Sequence, residues 1–454
     1  MRKAKPTFTC QQCGAASPRW LGKCPECDAW NSYVEEAPAA PSRPGPAQGS
    51  RGTRRTPVTV SEIPAETETR DRTGLSEFDR VLGGGLVRGS VTLLGGAPGI
   101  GKSTLLMQVL DLMSRRGIAC LYVTAEESLA QTRLRAERLK LAGDGVRMLA
   151  ETAVEDIIET LHDAKPAVVV IDSIQSVYSP ALPSTPGSVG QVREAAGRFV
   201  EWAKRSGSAI FLVGHITKEG AIAGPRLLEH MVDTVLYFEE IPGGEHRVVR
   251  TYKNRFGPTS EVGVFSMKSG GLAAVPNPSE LFLAGRPSRE PGSIVVASMD
   301  GTRPIFCELQ ALATPVSFGA PRRTAHGVDH TRVSLIAAVM ERKIGMHLVT
   351  QDIFVNLVGG MSIQEPAVDL PLALALASSV KNVPVPEGTA VAGEVGLAGE
   401  VRAITGAEAR LAEAARIGFT RLVCPKANLR HLPHKGKVEV VGVASLAEAI
   451  DALF

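Results

Sequence analysis

Eight consecutive residues, Gly96-Ala97-Pro98-Gly99-Ile100-Gly101-Lys102-Ser103, have the composition of a loop that wraps phosphate groups. Its glycines let the backbone bend until N–H groups converge on an anion, and a helix opening at Lys102 adds the favourable end of its dipole. Lys102 is placed to reach the terminal phosphates and Ser103 to hold Mg²⁺, with Thr104 next in the nucleotide-contacting run. The motif needs a strand before it and a helix after it. Val91-Thr92-Leu93-Leu94 and the helical spacing of Leu105, Val109, Leu112 and Met113 supply both. The implied ligand is ATP with Mg²⁺.

Other acids fall where such chemistry needs them. Asp172 ends the apolar run Val168–Ile171, where a carboxylate can complete the Mg²⁺ shell. Glu126 and Glu127 follow the run Ala119–Val123, and a carboxylate there can orient and deprotonate the water that attacks the γ-phosphate. Glu126 is preferred over Glu127 as that base. His215 follows the run Ile210–Val213; it suits a γ-phosphate sensor or a structural histidine about equally.

A second constellation stands near the beginning of the chain. Cys10-x2-Cys13 and Cys24-x2-Cys27 form two knuckles, each presenting two thiolates on one tight turn, and together they close a tetrahedral site suited to Zn²⁺. An iron centre of rubredoxin type is the alternative. So small a unit has no core of its own, so the metal must supply most of its folding energy. Arg19, Trp20, Lys23 and Trp30 surround the knuckles. The tryptophans suit two jobs equally: stacking on bases or packing the zinc core.

The elements that must position these residues divide the chain into four parts. Residues 1–35 form the cysteine unit. Residues 36–57 are rich in Pro, Ala, Gly, Ser and Arg, too poor in large apolar side chains to fold, and read as a basic flexible linker. Residues 58–275 alternate strands with helices; their continuous apolar strands predict a mostly parallel sheet covered on both faces. Residues 276–454 read as a further α/β domain, with strands at Gly292–Ala297 and Pro304–Ala311 and helices at Val333–Arg342, Leu370–Val380 and Ala407–Ile417.

Composition narrows the classes. At 44% hydrophobic and 21% charged residues, with a net charge of +3, the 454-residue chain is an ordinary globular protein rather than a polycation. Any nucleic-acid surface must be a local patch. No apolar run reaches a bilayer-spanning length, so no membrane span is expected. Four of the seven cysteines sit in the knuckles; Cys120, Cys307 and Cys424 are scattered in apolar segments. That pattern points to the reducing cytoplasm rather than to a disulfide scaffold.

Taken together, the four-cysteine unit, Thr73-Gly74 through Leu82-Gly83-Gly84-Gly85-Leu86, the phosphate loop, the string Lys253-Asn254-Arg255-Phe256-Gly257 and the C-terminal segment resemble the bacterial RadA (Sms) DNA repair family over essentially the full length. The match is loose at Ala125, where the family has Gly. The resemblance implies a RecA-like P-loop ATPase core that assembles as a homo-hexameric ring on single-stranded and branched DNA. It also implies cooperation with the RecA recombinase and ATP-driven branch migration of recombination intermediates. Lys253 and Arg255 then suit catalysis across a subunit boundary. Two segments, Ser176–Arg193 and Thr217–His230 with Lys218 and Arg226, are expected to face DNA, chiefly through phosphate contacts.

The C-terminal part resembles the proteolytic domain of Lon, whose chemistry is a Ser–Lys dyad. Here the serine position falls on Ala367 within Glu365-Pro366-Ala367-Val368-Asp369, and the lysine position on Glu408. Both partners of the dyad are missing, and Ser362 and Lys343 lie outside the motif. A Lon-protease-like domain without proteolysis is the expectation; Arg322, Arg323, Arg342 and Lys343 are candidate DNA contacts, with a solvated face the preferred reading of each.

Overall fold

The computed structural model describes residues 7–10, 15–26, 28, 30–36, 59, 69–142, 144–215, 226–241, 245–286, 289–316, 319–433 and 436–454. It divides into two compact units. One comprises residues 1–239, 247–259 and 265–274, the other residues 240–246, 260–264 and 275–454.

A nine-stranded sheet organises the first unit. In spatial order its strands are Gly271–Ala274, Val262–Lys268, His246–Asn254, Thr234–Glu240, Val91–Gly96, Ala209–His215, Val168–Asp172, Cys120–Thr124 and Val146–Ala150. The six from Thr234–Glu240 to Val146–Ala150 run parallel. Side chains alternate across a strand. Leu94, Tyr122, Val170, Phe211 and Phe238 therefore join one buried cluster with the helix Lys102–Ser114. Leu93, Val123, Ile171, Leu212 and Val235 join the other, against the helices Val154–Ala164 and Val189–Ser206. Both faces are dry, which explains why these strands read as unbroken apolar runs. Each such side chain contributes about 1.5–3 kcal/mol by burial, and an unpaired charge at Val170 would break the central strand pair.

The helix Val189–Ser206 begins before the expected end of the loop at Arg193, so Arg193 stands on a helix and the preceding loop is confined to residues 173–188. Beyond Asp233 the chain adds strands that the sequence reading left unassigned, Thr234–Glu240 and His246–Asn254 among them.

In the second unit a seven-stranded mixed sheet has the order Arg323–His326, Gln351–Leu357, Arg303–Pro315, Ser293–Asp300, Thr389–Val391, Arg421–Pro425, Glu439–Val443. The helix Asp369–Lys381 is buried continuously from Asp369 to Ser378, as its all-round apolar sequence demands. The helix His330–Val339 continues into a π-turn, Met340–Ile344.

The strand Thr7–Cys10 pairs antiparallel with Ala16–Ser17 on one side and Tyr33–Glu36 on the other, giving a small three-stranded sheet. No helix among the described residues is long and apolar enough to cross a membrane.

Candidate functional site

Four parallel strands end at one edge of the large sheet, and their carboxyl ends carry the polar residues singled out above. Val91–Gly96 leads into the phosphate loop, and Ala209–His215 runs beside it with His215 opposite Gly96. Cys120–Thr124 and Val168–Asp172 end together, Thr124 opposite Asp172. Within the loop Ala97, Pro98 and Gly99 are exposed, Ile100 is buried, and Gly101, Ser103 and Thr104 are half-buried. Gly101 has φ +117°, and a Cβ there would meet Met267 at 2.9 Å, so the turn into the helix admits only glycine.

Lys102 is buried beneath this loop. Its Nζ donates to the carbonyls of Gly96 at 2.8 Å and Ala97 at 2.9 Å, and lies 3.3 Å from Nδ1 of His215. Burial lowers its pKa to about 8, against the opposing pull of the Asp172 and Glu126 carboxylates. His215 Nε2 lies 3.2 Å from Glu126 Oε1. One imidazole thus spans the loop lysine and the glutamate.

Asp172 accepts a hydrogen bond from the Tyr122 hydroxyl, which also hydrogen-bonds Ser103. Burial first, then Asp172, holds the Tyr122 phenol well above its usual range, so it stays a donor. Ser103 and Asp172 therefore both meet the Tyr122 hydroxyl. This donor set of hydroxyl plus carboxylate fits Mg²⁺.

The two glutamates part company. Glu126 faces the site, where its Oε1 accepts from Ser173 Oγ and, at 3.1 Å, from Ser176 Oγ. These bonds and the His215 contact outweigh burial and lower its pKa to about 2, His215 contributing most. Glu127 pairs instead with Arg135. Tyr122, Ser173 and Ser176 were not singled out from sequence. Ser173 stands directly after Asp172, which was the one available signal.

Lys253 and Arg255 are not brought to this edge. Arg255 Nη1 donates to Asp233 Oδ1 at 3.1 Å, and its backbone N donates to Asp233 O. Asp233 Oδ2 in turn accepts from Val91 N at 3.1 Å, at the opposite end of the phosphate-loop strand. The six residues from Val91 to Gly96 span about 16 Å. Lys253 Nζ donates to the carbonyls of Glu229 at 2.6 Å and Val232 at 2.8 Å, capping the helix Arg226–Met231; burial lowers its pKa. The rest of the string is structural. Asn254 Oδ1 accepts from Phe256 N, and a Cβ at Gly83 (φ +81°) would come 3.0 Å from Arg70 Nη1 and 3.3 Å from Gly257 Cα.

In the cysteine unit, Cys10 and Cys24 are fully buried with Tyr33 in one cluster, against Phe8, Ala15 and Leu21. The Cys10 sulfur lies 3.2 Å from Ser32 Oγ and that of Cys24 lies 3.6 Å from the Tyr33 hydroxyl. Two sulfurs, each beside a hydroxyl, fit a thiolate-bound Zn²⁺. Cys13 and Cys27 lie outside the described residues. Trp30 is 72% and Trp20 51% exposed, so neither packs into this cluster. Lys23 Nζ sits 6.0 Å from the Trp30 ring centre.

Lys218 and most of the segment Thr217–His230 also lie outside the described residues; His230 stands on the helix Arg226–Met231. In the second unit Ala367 is buried, whereas Ser362, Lys343 and Glu408 are exposed. Arg323 is committed to backbone carbonyls of Leu348 at 3.0 Å and Val349 at 3.1 Å, while Arg322 and Arg342 are exposed.

Family models match at residues 8–35 (rubredoxin metal binding domain), 57–221 (AAA domain) and 323–428 (subunit ChlI of Mg-chelatase). A KaiC-like protein of Pyrococcus horikoshii superposes with a TM-score of 0.40 at 21% identity, over 46% of this chain and 100% of that one, too slight a likeness to bear on function. Full-length relatives are far nearer. The DNA repair protein RadA of Bacillus subtilis is 49% identical over 99% of both chains. That of Pseudomonas aeruginosa is 48% identical over 100% of both, and that of Halalkalibacterium halodurans 48% over 99% of both. The chain therefore belongs to the bacterial RadA family of DNA repair proteins.

Proposed function

We propose that this DNA repair ATPase is a motor. It hydrolyses ATP at boundaries between protomers of a homo-hexameric ring and moves along single-stranded DNA, extending branched recombination intermediates made by the RecA recombinase. In this reading Glu126 takes a proton from water as its oxygen bonds to the γ-phosphorus and the bond to the β-phosphate oxygen breaks. Lys102 and the loop N–H groups of Gly96–Thr104 hold the phosphates. Ser103 and Asp172 would hold Mg²⁺, which neutralises charge on the phosphate oxygens.

One observation carries the reading. A complete phosphoryl-transfer site needs a cation opposite the loop lysine, yet Lys253 and Arg255 stand at the far end of the strand that feeds the loop. A head-to-tail contact brings the far end of one protomer to the loop of the next, and repeating that contact by rotation closes a ring. Cys10, Cys13, Cys24 and Cys27 hold Zn²⁺, and the second unit, with Ala367 at the serine position of Lon, performs no proteolysis.

The test is complementation. Lys102→Ala and Arg255→Ala each lose ATP turnover stimulated by single-stranded DNA by about a thousandfold, the worth of an arginine supplied in trans, and neither extends branches. Mixed, they recover activity, because some boundaries pair an intact loop with an intact Arg255. No recovery on mixing, or branch extension by Lys102→Ala alone, rejects the two-protomer motor.

A further inference from the structure

Glu126 is restrained in a way that a base does not require. Ser173 Oγ, Ser176 Oγ and His215 Nε2 all converge on the same carboxylate oxygen, Oε1. Such an oxygen offers two lone pairs, so three contacts saturate it. Saturation also weakens the base, since its pKa of about 2 lies far from any operating pH near neutrality.

The two serines belong to the segment that follows the strand Val168–Asp172. Farther along, residues 180–187 are mostly exposed. Gln191 ties this stretch down: its Nε2 donates to the carbonyls of Ser179 at 3.1 Å and Ser184 at 2.9 Å, and its Oε1 accepts from Ser179 N at 2.7 Å. Ser179 Oγ is anchored in turn on Glu155 at 2.6 Å. Hydrogen bonds and three residues of chain thus connect the exposed stretch to Ser176, and Ser176 to Glu126.

We propose that Ser176 and Ser173 are positioning residues that hold Glu126 back, and that a polynucleotide engaging residues 180–187 draws them away and frees the carboxylate to face water. This rests on the reading of Glu126 as the base and of that segment as facing DNA. The stretch has hydroxyls and backbone N–H groups but no cation, so it senses the strand while charge elsewhere supplies affinity. DNA stimulation of turnover is then removal of a restraint rather than completion of the site.

The experiment measures ATP turnover by the full-length chain with and without a single-stranded oligonucleotide. Ser176→Ala raises DNA-free turnover about tenfold, the worth of one hydrogen bond to a charged group, while the DNA-saturated rate and the KM for ATP stay put. The stimulation ratio falls accordingly. Removing a donor from a carboxylate raises its pKa, so the acid limb of DNA-free kcat moves to higher pH. Ser176→Thr, which keeps the hydroxyl, restores the ratio, and Ser173→Ala acts in the same direction. DNA-free turnover at or below wild type in Ser176→Ala, with the ratio intact, overturns the restraint. Glu126→Gln separates the two failures: if it is inactive while the serine variants behave as wild type, the restraint alone is wrong; if it still turns over, the base assignment falls as well.

Discussion

Adjacent glutamates follow the strand Cys120–Thr124, and their partners divide them. Glu126 meets Ser173, Ser176 and His215, whereas Glu127 is drawn to Arg135 on the following helix. Glu126→Gln should lower DNA-stimulated turnover by about 10²–10⁴-fold, the usual worth of a general base. Glu127→Gln should change it by less than about fivefold, since it loses only a partly exposed ion pair. Steady-state ATPase rates decide, and equal losses in the two variants would deny the distinction. At this scale the phosphate loop was legible because its chemistry lies in consecutive residues. The contacts of Tyr122 with Asp172 and of Ser176 with Glu126 were not, because they depend on which strands neighbour each other. Sequence also left the tryptophans undecided between base stacking and zinc-core packing, and only exposure separates them from the zinc cluster.

Elements carry the next part. The parallel strands announced themselves as apolar runs, but His246–Asn254 carries charges on both faces, Arg247 and Lys253 on one and Arg250 on the other. Its apolar alternation is too sparse to assign from sequence, and with it went the knowledge that Arg255 stands at the Val91 end of the sheet. In the second unit Ala367 and Glu408 could be read directly from the sequence, but the ion pair beside them could not. Glu365 receives Arg410 Nη1 at 3.0 Å and Nη2 at 2.6 Å, Ser298 Oγ at 2.9 Å and Met299 N at 2.7 Å. Arg410 is 1% exposed, so this pair ties the helix Ala407–Arg416 to the strand Ser293–Asp300 inside the core. Arg410→Met leaves the Glu365 carboxylate without its cation and should cost about 3–5 kcal/mol. Glu365→Met with Arg410→Met should recover most of that loss, because no buried charge remains. Urea unfolding of wild type, Arg410→Met, Glu365→Met and the double variant tests this; additive losses in the double variant would mean that the pair is not coupled.

At the scale of the whole molecule, the parts close their cores by different means. The first unit has two dry sheet faces and the second a buried apolar helix, and each holds itself together by area. Among the described residues of the cysteine unit, the buried hydrophobic cluster is Cys10, Cys24 and Tyr33, too little to offset the entropy of ordering such a unit. On the proposed reading of the cysteines as Zn²⁺ ligands, the metal supplies the difference, and binding and folding are one event. The tryptophans report on it separately, because Trp20 and Trp30 belong to the cysteine unit while Trp202 is buried against the nine-stranded sheet. Stripping zinc with a strong chelator, or replacing Cys10 with Ser, should release Trp20 from its hydrogen bond to Tyr33 O and red-shift the emission of both exposed tryptophans. DNA-free ATP turnover should persist, since the buried clusters around the phosphate loop contain none of the four knuckle cysteines. An unchanged emission spectrum after zinc is shown to be gone would mean that the three-stranded sheet stands without it. Loss of DNA-free turnover would mean that the metal supports more of the chain than its own knuckles.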